Sequence, residues 1–231
     1  MPDTTLTMST VTRLYLIRHG ATMLTAEDRF AGATNVALSD EGRRQAAALA
    51  ARLKSVKLSA IYASPLDRTM ETASILAAPH HLEVQPRDGL REISHGRWEG
   101  MTRAEVLKAY PEEVAAWDED PYTFAPAEGE SGLAVTARAL PPLMDIYAAH
   151  RGEHVAIVSH KATIRLVISS MLGFDPRRYR DNLDQSPCAL NIVDVRGPTC
   201  FRLTLFNDTS HYILNESDVP PVPAKRLSGH W

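Results

Sequence analysis

Cysteine is scarce in this sequence: 231 residues contain only Cys188 and Cys200. The two are not at metal-ligand spacing, and a chain this long buries enough surface to fold without a disulfide. Both are expected to be packing residues on neighbouring strands, as free thiols commonly are. No apolar run approaches the roughly 20 residues of a membrane span. The first ten residues, M-P-D-T-T-L-T-M-S-T, lack the basic and apolar regions of a signal peptide. The expectation is a reduced, soluble, cytoplasmic protein with no membrane partner. A basic surplus is also missing, with 25 Lys and Arg against 28 Asp and Glu, a net charge of -3 and a pI near 6.3. Nucleic-acid binders usually carry such a surplus, so no nucleic-acid partner is expected. Internal repeats and low-complexity tracts are absent. The remainder, 44% hydrophobic and 23% charged, suits a globular chain with one sizeable core.

Three apolar runs read as strands, Val11–Ile17, Ala60–Ala63 and Val155–Val158, and Leu82–Gln85 adds a short fourth. Helical patterns alternate with them. Ser39 is a good N-cap, followed by Asp40 and Glu41 at the positive end of the dipole and a stripe at Ala46, Leu49, Ala50 and Leu53. A second helix begins near Asp67 and stops at Pro79. A third runs from about Ser131 to His150, with a kink or break expected at Pro141-Pro142. The fourth carries Ile164, Val167, Ile168 and Met171 and closes at Gly173. Cys188–Val195 and Cys200–Phe206, joined by R-G-P-T, read as a hairpin. The order predicts a three-layer α/β/α sandwich with a mostly parallel sheet and an antiparallel edge. All 231 residues form one domain in this reading. It includes a lid-like excursion at about 101–130, with two short helices and an acid- and Pro-rich loop, and a polar tail from about 207. An edge hairpin leaves pairing between two copies of the chain open, as in a homodimer.

Four stations share one grammar. A strand ends in Arg18-His19-Gly20, with Thr22 just beyond. Another ends in Ser64-Pro65, with Arg68 inside the next helix. A loop carries Glu92, and a third strand ends in Ser159-His160. Taken alone, Arg18-His19 describes a strand end with a solvated Arg and a turn His as readily as a phosphate site. Parallel strands, however, bring their carboxyl ends to one crevice. Two Arg, two His and a carboxylate there suit phosphoryl transfer without a metal. Arg18 and Arg68 offer planar forks for phosphate oxygens. Positive neighbours lower the pKa of His19 and keep its lone pair available for attack. Glu92 can protonate a leaving alkoxide and then activate water.

The segments L-I-R-H-G-A-T (16–22), S-P-L-D-R-T-M-E-T (64–72), R-E-I-S-H-G-R-W-E-G (91–100) and V-S-H-K-A-T-I-R (158–165) resemble the histidine phosphatase superfamily, also called the phosphoglycerate mutase-like family. The resemblance implies that His19 is phosphorylated, that Arg18, Arg68 and His160 complete the phosphate pocket, and that Glu92 donates the proton. It also implies that neither metal nor cofactor is needed. I-S-H-G-R-W-E-G resembles small-molecule phosphatases, including α-ribazole phosphatase-like and broad-specificity enzymes. The implied function is hydrolysis of small-molecule phosphomonoesters. The alternatives are a phosphoglycerate mutase and a non-catalytic phosphate-binding module. Departures from the family pattern are Ala21, Thr25 and Lys161-Ala162. Thr22, Thr25 and Lys161 join Arg18, Arg68 and His160 as candidate substrate-binding residues.

Other residues receive plainer expectations. His80, His81, His150, His154 and His230 are expected to be solvated. His95 suits a turn or the pocket wall, and His211 a tail residue over the site. Glu128–Ser131 suits a helix cap, with Glu130 and Ser131 as weak substrate contacts. Trp98 and Trp117 are expected to pack.

Overall fold

The computed structural model describes residues 10–23 and 29–213. Its centre is a six-stranded sheet. The strands are β1 (Thr12–Arg18), β2 (Ala60–Ala63), β3 (Val84–Pro86), β4 (His154–Ser159), β5 (Leu190–Gly197) and β6 (Cys200–Asp208), ordered β3-β2-β4-β1-β5-β6. The pairs β3-β2, β2-β4 and β4-β1 are parallel, and β5 runs antiparallel to β1 and β6 to β5. The central strands are buried on both faces, which is why 155–158 is apolar without alternation.

Helices cover both faces. On one, Tyr15, Ile17, Ile61 and Val158 meet α1 (Asp40–Leu53) and α2 (Asp67–Ala77) through Ala46, Leu49, Leu53, Ala73 and Leu76. On the other, Leu14, Leu16, Val155 and Ile157 meet α5 (Gly132–Ala149) and α6 (Lys161–Leu172) through Leu143, Ile146, Ile164 and Ile168. This is the three-layer α/β/α architecture. Ser39 caps α1, its Oγ accepting from the Gly42 amide at 3.1 Å, and Ser131 caps α5 in the same way.

Two expectations change, the break at Pro141-Pro142 and the placing of the cysteines. Helix α5 runs unbroken through Pro141 and Pro142. An interior Pro costs a helix about 3 kcal/mol, but Val135 and Ala139 before the pair and Leu143 and Ile146 after it are all buried, so core packing holds both halves. Cys188 is buried but precedes β5 rather than lying in it. Cys200 is exposed, because it opens the edge strand at the hairpin turn. The excursion builds α3 (Arg103–Ala109) and α4 (Pro111–Glu119) around its own small core of Trp98, Val106, Val114 and Trp117, with Phe30 drawn in from upstream. Both tryptophans pack, as expected. The indole N–H of Trp98 donates to Glu113 at 2.9 Å.

Candidate active site

The sheet register sets the site. Arg18 lies opposite Ser159, and Ala63 opposite Val158. The chain therefore leaves β2, β4 and β1 at one level, presenting Ser64, His160 and His19 side by side. The His19 amide donates to the Ser159 carbonyl at 3.0 Å, and the Ser64 amide to the Val158 carbonyl at 3.0 Å. Beyond His19 the backbone presses against α1: a Cβ on Gly20 would lie 2.5 Å from the Gly42 carbonyl oxygen. Only glycine fits there. The Gly20 amide donates to Thr72 Oγ1 at 3.2 Å, and the Ala21 amide to Gln45 Oε1 at 3.0 Å.

His19 is buried, and its Nδ1 lies 2.7 Å from the Gly20 carbonyl oxygen. A carbonyl only accepts, so Nδ1 carries the proton and Nε2 keeps the lone pair. Burial lowers the His19 pKa well below 6.5, and the charges of Arg18 and Arg68 add to that, so the ring is neutral at pH 7. His160 is fully buried, with its ring centroid 5.2 Å from that of His19. Arg68 Nε donates to His160 Nδ1 at 3.3 Å, so His160 Nε2 bears the proton and donates to Ser64 Oγ at 2.8 Å. Its pKa is also driven down, by burial first and then by His19, Arg68 and Arg18.

The two arginines are placed differently. Arg18 donates through Nη1 to the Gln185 carbonyl at 2.6 Å, while its buried Nε has no partner. Burial brings its pKa down to about 10, partly countered by Glu92. Gln185 is held by a reciprocal amide pair with buried Asn191, at 2.8 and 2.9 Å. Arg68 is 2% exposed. Besides His160, it donates to the carbonyls of Thr34 at 2.7 Å and Gly32 at 2.8 Å. It thus ties the 31–34 turn to the pocket as well as supplying charge.

Glu92 faces the N-terminus of α6. Its carboxylate accepts from the amides of Ala162 and Thr163 at 3.2 Å each, from Thr163 Oγ1 at 3.2 Å and from its neighbour Ile93 at 3.0 Å. Arg138 grips its backbone. That guanidinium donates to the carbonyls of Gly89 and Arg91 at 2.8 Å and of Glu92 at 2.9 Å, and forks onto Glu130 at 2.8 and 2.9 Å. A cleft of about 430 Å³ opens beside Glu92, lined also by Ala33, Asp88, Gly89, Arg91, Glu130 and Arg138.

The predicted residues Arg18, His19, Arg68, Glu92 and His160 are therefore gathered in one region, where Arg18 and Arg68 both feel the charge of Glu92. Thr22 is buried and bridges Leu38, and Lys161 is the first residue of α6. Thr25 and His230 lie outside the described residues. Glu130 is engaged by Arg138 and the Ser94 amide. His95 is wedged edge-on against Phe30 at 4.7 Å, and burial lowers its pKa. His211 stacks edge-on against Tyr212.

His150 and His154 are not merely solvated. His150 donates from Nδ1 to Glu153 at 2.8 Å and accepts from the Tyr62 hydroxyl at 2.9 Å, and His154 Nδ1 lies 3.3 Å from the Tyr15 hydroxyl. Each sits against a tyrosine that local sequence does not pair with it. Sequence reasoning also missed Ser64, Arg138, Glu99 and Gln185 as parts of the site. Ser64 and Glu99 lie within the quoted motifs and could have been singled out. Arg138 and Gln185 act across the fold and leave no local signal. Among the described residues no group of three or more His, Cys, Asp or Glu side chains is arranged to hold a metal ion, and no helix is long and apolar enough to cross a membrane.

Comparison with known proteins agrees with this fold. Residues 14–209 match the family model for the histidine phosphatase superfamily (branch 1). Phosphoserine phosphatase 1 of Hydrogenobacter thermophilus is 35% identical over 167 residues, 72% of this chain and 79% of that protein. Other curated relatives are longer, and the chain spans 57% of the length of some and 38% of others. Among solved structures, Bacillus stearothermophilus YhfR superposes with a TM-score of 0.82 at 32% identity, covering 87% of this chain and 98% of that one. The mycobacterial glucosyl-3-phosphoglycerate phosphatase Rv2419c gives 0.79 at 28%, covering 85% and 99%. With the match spanning most of its length and all four motif stations meeting at one end of the sheet, the chain belongs to the histidine phosphatase superfamily, branch 1.

Proposed function

We propose that the chain is a phosphoric monoester hydrolase that takes small-molecule phosphate esters and works through a phosphohistidine on His19. The observation that carries this is the His19 tautomer: the Gly20 carbonyl holds Nδ1–H, which leaves the Nε2 lone pair in a pocket with half-buried Arg18 and buried Arg68. In the first step Nε2 bonds to phosphorus and the ester P–O bond breaks. The leaving oxygen takes a proton from the Glu92 carboxyl group. In the second, the Glu92 carboxylate takes a proton from water as the water oxygen bonds to phosphorus. The P–N bond breaks, and neutral His19 and inorganic phosphate remain. Arg18 and Arg68 balance charge on the transferring oxygens, and the Gly20 carbonyl steadies the imidazole as it gains positive character. His160 keeps a buried hydrogen-bond donor beside the nucleophile.

Relatives named for phosphoserine and glucosyl-3-phosphoglycerate hydrolysis favour phosphatase over mutase chemistry. The excursion, with its own apolar core, covers the leaving-group side in this reading, and residues 1–231 form one catalytic domain. A cytoplasmic location fits the free cysteines, and a homodimer paired along β6 fits its place at the edge of the sheet among the described residues. The test is a phosphate-release screen over phosphoserine, sugar phosphates, phosphoglycerates and nucleotides, run beside an assay for interconversion of 2- and 3-phosphoglycerate. Release of phosphate without interconversion is expected; interconversion faster than release would replace the hydrolase with a mutase.

A further inference from the structure

Glu99 lies outside the catalytic set, yet its carboxylate collects five donors. Oε1 accepts from the Ala33 amide at 2.9 Å, the His95 amide at 3.2 Å and Ser94 Oγ at 3.4 Å. Oε2 accepts from the Thr34 amide at 3.0 Å and Thr34 Oγ1 at 2.6 Å. The 31–34 turn is folded around this carboxylate. Gly32 sits at φ +45°, and a Cβ there would lie 2.2 Å from Glu99 Oε1. With the turn's amides drawn to Glu99, the carbonyls of Gly32 and Thr34 point the other way, onto the two terminal nitrogens of Arg68. The third nitrogen of Arg68 donates to His160 Nδ1, which fixes the proton of His160 on the atom facing Ser64. One line of contacts therefore runs from Glu99 through a four-residue turn to the guanidinium and the second histidine of the pocket.

We propose that Glu99 is a positioning residue for the phosphoryl pocket, acting through the 31–34 turn to aim the Arg68 guanidinium. The inference rests on the reading of the pocket given above. Among the described residues no carboxylate hydrogen-bonds Arg68. Its planar fork is aimed by two backbone carbonyls, and those carbonyls are aimed by Glu99. A displacement of about 1 Å in such a group can cost about a hundredfold in rate.

The test is a double-mutant cycle with Glu99→Ala and Arg68→Ala, read as kcat and KM on a phosphate ester and as orthovanadate affinity by calorimetry, with melting temperatures alongside. Glu99→Ala is expected to lower kcat/KM by roughly 10- to 100-fold and vanadate affinity in parallel. In the Arg68→Ala background the same change is expected to alter both by less than about twofold, since nothing is left to aim. Losses that multiply in the double variant overturn the proposal, because Glu99 would then be supporting the fold at large. Thr34→Val removes one Glu99 bond and leaves the turn amides. It is expected to cost about two- to tenfold in the wild-type background and nothing beside Arg68→Ala. Should Glu99→Ala fail to fold, this second cycle decides by the same criterion. Wild-type protein that binds vanadate but hydrolyses no ester would sink the phosphatase reading, while the calorimetric cycle still judges Glu99.

Discussion

Arg138 offers the sharpest perturbation of the proposed acid without touching it. Arg138→Met keeps much of the side-chain bulk and removes five hydrogen bonds, two to Glu130 and three to the carbonyls of Gly89, Arg91 and Glu92. The Arg138 and Glu130 side chains are 25% and 28% exposed, so water recovers part of the loss. Counting the ion pair at about 1 kcal/mol and each carbonyl bond at about 0.5–1 kcal/mol gives a destabilisation of about 3 kcal/mol. For a chain of this size that lowers Tm by roughly 6–12 °C. The kinetic effect is more diagnostic. Glu92 keeps its contacts with α6 but loses the anchor on its backbone, and a shift of about 1 Å costs about a hundredfold in proton transfer. An alkyl phosphate needs that proton; p-nitrophenyl phosphate, with a stable leaving anion, hardly does. The variant is therefore expected to lose roughly 10- to 100-fold in kcat on the alkyl ester and less than about threefold on the aryl ester. Urea denaturation and steady-state kinetics on the two esters check both parts. Equal losses on the two esters, or wild-type kcat on the alkyl ester, would refute the assignment of Arg138 and the acid role of Glu92 together.

Three further outcomes are expected. His19 and His160 are buried with folded-state pKa values well below 6.5, so the unfolded chain binds more protons below that pH. Stability is full above pH 6.5 and falls as pH drops toward the folded values, with a limiting slope of about 1.4 kcal/mol per pH unit for each ring. Urea titrations between pH 5 and 7 on wild type and His160→Gln isolate the contribution of the His160 ring. Cys200 is exposed, whereas burial pushes the Cys188 thiol up to about 12. A thiol reagent should label one cysteine in the native protein and the second only in denaturant; two fast thiols would contradict the core around Cys188. Glu113→Ala strands the buried indole N–H of Trp98 and is expected to cost about 1–3 kcal/mol. Unfolding followed by tryptophan fluorescence measures it, and an unchanged midpoint would remove Glu113 from the excursion's support.

Sequence was most informative where one local rule decides the outcome. The helix that begins at Asp40 follows from Ser39 and the acidic first turn, and β4 from an apolar run flanked by polar residues. Convergence of Arg18, His19, Arg68 and His160 followed from the parallel sheet, since strand ends share a side whatever the loops do. The misses arose where distant segments meet. Pro141 and Pro142 predict a kink or break by local rules, but apolar side chains on both sides of them keep the helix continuous. His150 and Tyr62, 88 positions apart, meet because α5 ends over β2. The sequence offers Arg18 and Arg68 alike as forks for phosphate oxygens, but Arg68 is also tied to the turn at Gly32 and Thr34, a contact that no spacing in the chain announces.

The central claim is that His19 carries the phosphoryl group. Rapid acid-free quench of the protein with a turning-over ester, followed by mass spectrometry of its peptides, tests it most directly. Phosphate is expected on His19 alone, labile to acid and stable to base, absent from His19→Ala, and forming and decaying at rates no slower than turnover. Turnover retained by His19→Ala, or phosphate trapped on another residue, would contradict it.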